Sequence, residues 1–231
     1  MTTERRFDFD KAVAELPILR DFIDFVNNQV GVYSDSLAGF YGNKVRIERQ
    51  KARVIRQSGM KIDKGKPVMM HTSLEDPTSP DVIHMRITRV DDFVAANSEH
   101  GFNEQQLCRS IIVFIFAYWD EQARPAIAAV RGVPSSDVRV DALGDLRLVR
   151  HAIIHNKGIL DPKEHRKMKA MAELFEPGAP ISLSHDQMHK LFAMVKKAIG
   201  EIVMFYTRHL PGAPNIADIK TVAIQTGRSQ E

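Results

Sequence analysis

Residues 184–206 read SHDQMHKLFAMVKKAIGEIVMFY, and this stretch decides the class of fold. Met188, Leu191, Phe192, Val195, Ile199, Ile202, Val203 and Tyr206 recur at the three- and four-residue intervals of one helix face. Ser184 and Gln187 have the spacing of a capping pair, in which each side chain takes an N–H that the first turn leaves unbonded. It is the clearest periodicity in the chain, and a helix with one apolar stripe is stable mainly through packing on other helices.

Working outward, the rest of the sequence supplies those partners. Asp161 caps a helix with Pro162 in its first turn and Glu164 reaching back, and EPGAP at 176–180 stops it. Residues 141–156 form an amphipathic helix with Leu143, Leu146, Val149 and Ile153 on its core face and Gly158 as C-terminal cap. The segment from Leu107 to Trp119 is apolar nearly all round, which predicts a central buried helix. Asn103 and Gln106 have the spacing to cap it, and Pro125 should kink or end it. TRVDDFVAANSEHG at 88–101 is helical, as is the stretch from Leu16 to Tyr41, where Gly31 and Gly39 are weak points, and the basic run that follows is helical at first, loosening after Gly59. Between these, Pro67, Pro77 and Pro80 break the pattern, and Ile83, Met85 and Ile87 alternate with His84 and Arg86. That period of two predicts a short strand or half of a small hairpin.

The expected fold is therefore all-α, a helical bundle with a long N-terminal helical region and a short irregular or β-hairpin insertion. Residues 1–87 form the extension, 88–210 the bundle, and 211–231 a polar, frayed tail. The 231 residues are 44% hydrophobic and 26% charged, as in ordinary globular chains. Cys108 stands alone, so no internal disulfide can form. MTTERRFDFDKAV lacks the apolar core of a secretory signal, and the longest apolar run, Ile111 to Trp119, is too short to span a bilayer. A cytoplasmic protein without membrane contact is expected.

The chemistry concentrates in GDLRLVRHAIIHNKG at 144–158. Arg147, His151 and His155 lie at i, i+4 and i+8, a ridge beside the core face, with Arg150 adjacent and Asn156 and Lys157 where the helix ends. A structural role accounts for part of this, because cations near a helix C-terminus interact with its dipole for about 0.3–1 kcal/mol. Asp145 could orient Arg147 or His151, or stand as a surface carboxylate.

The stretch resembles the signature of the HEPN superfamily, an Arg followed by four to six residues and a His at a helix end. Arg150, residues 151–154 and His155 fit it, His151 fits the polar residue common after the Arg, and Asn156–Lys157–Gly158 fit the exit. FAYWDEQARPAIAAVRGV at 116–133 is similar to the helix preceding the motif in bacterial HEPN-like proteins. The resemblance covers residues 88–210. It implies an endoribonuclease that needs neither metal nor cofactor, works as a homodimer, and serves as a toxin or phage-defence effector, with an antitoxin or other protein as partner. His155 would be the principal acid/base, since imidazole can both take and give a proton near neutral pH. Arg150 would stabilise the phosphorane. His151 would assist, and Arg147, Asn156, Lys157 and Arg124 would hold the substrate phosphate. The rival within the family is a non-catalytic module that binds RNA or a protein through the same face. Arg150 and His155 sit about 140° apart on an ideal helix, so convergence on one phosphate calls for two protomers.

Other features carry structural alternatives. Arg124 either points at the cleft or pairs with Asp120 four residues earlier. Tyr118 and Trp119 are read as packing residues, Met69 and Met70 as gap fillers, and Cys108 as an inert buried thiol. His151/His155 and His185/His189 have a metal-chelating spacing, but no HExxH motif or cysteine cluster accompanies them. From Lys44 to Lys66, nine cations face two carboxylates, a run that could track a nucleic-acid backbone or simply be a solvated face.

Overall fold

A computed structural model describes residues 9–58, 67–73 and 85–203. Within them the chain is predominantly helical with a single two-stranded sheet. The order is α1 (Phe9–Ser58), β1 (Met69–Ser73), β2 (Met85–Arg89), α2 (Val90–Ala96), α3 (Phe102–Tyr118), α4 (Arg124–Arg131), α5 (Asp141–His155), α6 (Pro162–His165) and α7 (His185–Val203). No helix among the described residues is long and apolar enough to cross a membrane.

The helix predicted from Leu16 to Tyr41 is part of a 50-residue α1, about 75 Å long at 1.5 Å per residue. Its length follows from having two cores to bridge. Leu19, Phe22, Val26 and Tyr33 enter the main core with Ile111, Ile112 and Ile115 of α3, Leu143, Leu146 and Val149 of α5, and the α7 stripe from Met188 to Ile202. Further along, Ile47 packs with Val90 and Phe93 in a smaller core that Val68 and Met70 help to cover. Tyr118 stacks on Phe22 and Phe25, at centroid distances of 5.5 and 4.4 Å, and Trp119 is buried beside them, so both aromatics do pack. Burial and the Glu104 charge push the Cys108 thiol up to about 12, consistent with an inert side chain.

The hairpin pairs Met69 with Arg89 and Ser73 with Met85, antiparallel. The alternation thus located a real strand, but Ile87 is exposed rather than turned into a core. Met70 packs on the small core whereas Met69 is exposed. Ile83, His84 and Tyr206, with the tail after Pro211, lie outside the described residues.

Two expectations about helix ends are corrected, and the interruption expected at Pro125 is met in part. Gly101, not Asn103, precedes α3: a Cβ there would overlap the carbonyl oxygens of Ala95, Ala96 and Ser98, so the tight entry admits only glycine. Asn103 lies inside the first turn and donates to Asn97 Oδ1 (3.2 Å), while Glu104 takes the His100 N–H (2.6 Å). Pro125 does not end the helical path. A single π-turn, Trp119–Ala123, leads into α4, widening the backbone just where Pro cannot donate an N–H and would crowd the preceding turn. The helix opened by Asp161 lasts one turn, although the cap itself is present, with Lys163 N–H on Asp161 Oδ1 at 2.6 Å. Glu164 pairs with Lys167 instead of reaching back.

At α7 the capping pair is as expected. Ser184 N–H donates to Gln187 Oε1 (2.8 Å), and Gln187 N–H donates to Ser184 Oγ (3.2 Å).

Candidate functional site

The site is built on α5 and its exit. Ala142, Leu143, Leu146, Val149 and Ala152 are buried, which turns Arg147, His151 and His155 outward on one exposed ridge. The His151 and His155 ring centroids are 4.8 Å apart and tilted by 41°. Arg150 lies on the shoulder between ridge and core, half-buried, with its Nε shielded from solvent and without a hydrogen-bond partner among the described residues. A guanidinium N–H left without a partner in a desolvated place gains strongly from an incoming anion.

The backbone beneath these groups is pinned. Asn156 N–H and Gly158 N–H both donate to Ala152 O, at 3.0 and 2.9 Å. Such a wide turn needs left-handed backbone at Lys157 (φ 53°) and Gly158 (φ 76°), the second of which glycine adopts at no steric cost. Asn156 Nδ2 donates to Ile159 O at 2.6 Å, so this amide braces the exit turn. Ile181 N–H then donates to Gly158 O (2.7 Å), and Gly178 N–H to Leu160 O (2.8 Å). Gln105 on α3 holds the same strip of chain, donating to Leu183 O (3.0 Å) and accepting from Leu183 N–H (2.9 Å).

Asp145 does not orient Arg147 or His151, and it is not on the surface. Its carboxylate is 2% exposed and accepts backbone N–H groups from Lys169, Ala170 and Met171 at 2.7–3.0 Å. Those bonds also explain the brevity of α6, because N–H groups held by Asp145 cannot continue a helix.

Arg124 sits at the start of α4 in an ion pair with Asp120 (2.7 Å), and its Nε is likewise buried without a partner. Lys157 is exposed at the exit turn. The structure therefore sets Arg147, His151 and His155 along one ridge of the second half of α5 with Arg150 on its shoulder and Lys157 at its exit, gives Asn156 a bracing bond there, and ties Arg124 to Asp120.

Arg109 was missed by the sequence reading. From α3 it donates through Nε and Nη2 to Ile181 O (3.1 and 2.9 Å), and a Cβ on Gly158 would lie 3.6 Å from its guanidinium carbon. A fixed cation thus lies against the C-terminal end of α5, where the helix dipole favours positive charge. The only sequence signal was a charged residue inside an otherwise apolar helix. The second histidine pair is also assembled: His185 and His189 bring their Nε2 atoms to 3.0 Å, with His185 stacked on buried Tyr33. Compared with known proteins, the chain matches no family model, no curated protein and no solved structure.

Proposed function

We propose that this protein is a HEPN-type endoribonuclease that works without metal as a homodimer, its active site formed by the α5 ridges of two protomers. The observation that carries the reading is the pair of exposed imidazoles, 4.8 Å apart, next to a half-buried Arg150 whose Nε has no partner. One imidazole takes the ribose 2′-hydroxyl proton as that oxygen attacks phosphorus. An imidazole gives a proton to the departing 5′-oxygen, leaving a 2′,3′-cyclic phosphate and a 5′-hydroxyl. The guanidinium meets the charge that gathers on the phosphoryl oxygens. Arg147 and Lys157 add positive charge along the approach of the strand. A role as a toxin or defence effector held by a partner protein belongs to the same proposal, as does a cytoplasmic location.

The dimer makes a sharp test. Arg150→Ala and His155→Ala should each abolish cleavage of RNA in chelator, with the unfolding of His155→Ala unchanged because that ring is exposed. Mixing the two inactive proteins should restore about a quarter of wild-type activity: half the dimers are mixed, and each mixed dimer carries one intact site of two. No recovery on mixing would overturn the composite site, and unaltered cleavage by His155→Ala would overturn the enzyme.

A further inference from the structure

The second half of α1 sorts its charges by face. Between residues 44 and 56 it carries Lys44, Arg46, Arg49, Lys51, Arg53 and Arg56 against the single carboxylate of Glu48. At about 100° per residue, the four arginines fall within a sector of about 80° whose centre lies opposite buried Tyr33. The two lysines project on the inner side, where Lys51 Nζ is engaged by Asp91 Oδ1 at 2.7 Å. Glu48 lies about 120° from the middle of the arginine sector.

All four arginines are exposed. Arg46 donates to Asn43 Oδ1 (3.2 Å) and Arg56 Nε to Ala52 O (3.4 Å). Among the described residues, no carboxylate pairs with any of the four. Arg46, Arg49 and Arg53 share a shallow trough of about 710 Å³ with Tyr41, whose ring is 67% exposed. From Arg46 to Arg56 the row runs about 15 Å along the helix axis, more than one phosphate needs.

We infer that this arginine ridge is a docking track for the phosphodiester backbone of single-stranded RNA. The inference rests on the reading of this protein as one that acts on RNA. Planar guanidinium forks meet phosphate oxygens two at a time, which an ammonium cannot do, and here the arginines face out while the lysines face in. Tyr41 offers a flat surface on which a base can stack. Gln50 and Gln57 border the ridge on one side, and the apolar side chains near it, Val45 and the exposed Val54, are too few to make the broad apolar face by which a helix enters a membrane surface.

The test uses the full chain carrying His155→Ala, so that the RNA stays intact, and anisotropy of a fluorescein-labelled single-stranded RNA in chelator. Arg49→Gln/Arg53→Gln should weaken binding at least tenfold at about 50 mM salt. It should also reduce the slope of log affinity against log salt by about 1.4, the share of two phosphate contacts on a single strand. Lys196→Gln/Lys197→Gln, an equal loss of charge on the exposed side of α7, should change affinity less than twofold. Equal weakening by both pairs, no change with the arginine pair, or no RNA binding at low salt would each overturn the ridge. So would preferential capture by phosphatidylserine vesicles or by an acidic peptide. Cleavage is scored separately in the chain with His155 intact. Loss of RNA affinity in the arginine variant alongside a wild type that never cleaves leaves the ridge standing and removes the nuclease. Cleavage with unaffected affinity does the reverse.

Discussion

Asp145→Asn is the perturbation that most directly tests how α5 is held. The buried carboxylate receives three backbone N–H groups from residues 169–171, with Oδ2 taking the shorter bonds at 2.7 and 2.8 Å. An amide retains one oxygen for that role and places an NH2 against the Lys169 N–H that Oδ1 accepted at 3.0 Å. Three hydrogen bonds to a charged acceptor, each worth ~1.5–3 kcal/mol, become neutral bonds of ~1 kcal/mol or a donor–donor repulsion. Lys169 and Ala170 are themselves exposed, so water recovers part of the loss and the low end of the range applies. The expected destabilisation is about 2 kcal/mol, or ~4–8 °C in melting temperature for a chain of this size. Guanidinium unfolding followed through the fluorescence of Trp119, the single tryptophan and a buried one, measures it. Asp141→Asn is the control, since Asp141 contacts the same Lys169 through its exposed ammonium and should cost less than about 0.5 kcal/mol. An Asp145→Asn loss no larger than the control's would refute the claim that these three N–H groups depend on the carboxylate.

Two further outcomes follow from charges elsewhere. Arg131 meets the buried Glu15 through two bonds of 2.6 and 2.8 Å, so Arg131→Ala should destabilise by about 3 kcal/mol by removing both from a carboxylate that stays buried. Replacing both partners, Glu15→Leu with Arg131→Met, should recover most of that in the same unfolding assay. Burial, and then the neighbouring His185, hold the His189 imidazole below its ordinary 6.5, with Asp186 opposing. In the window between that lowered value and 6.5 the unfolded chain binds more protons, so stability should fall as pH drops through it and level off above it. Thermal melts across this range should show a shallower fall in His189→Gln, and parallel curves would refute the assignment.

What the sequence revealed was local. The α7 stripe and its Ser184–Gln187 cap depend on residues a few positions apart, and both stand as expected. So do the outward turn of Arg147, His151 and His155 and the Gly158 exit, because spacing on one helix decides them. What stayed hidden was set by distant partners. Burial of Asp145 depends on N–H groups of a loop 24–26 residues later, and the task of Arg109 depends on a carbonyl 72 residues away. Helix was legible from Leu16 to Tyr41 and again at the start of the basic run that follows; Gly31 and Gly39, its weak points, face solvent, while packing at both ends maintains α1.

The exit of α5 has one more consequence. Ala152 O accepts two N–H groups, Gly158 O accepts one and Ile181 O takes the Arg109 guanidinium, so the main chain carrying His155 is located by several restraints. The imidazole at its tip is exposed and lies against the ring of His151. Position and reactivity are thereby decoupled. The framework can tolerate exchange of the chemical group without loss of shape, and drift in sequence there would change the groups offered at the ridge while leaving the architecture whole.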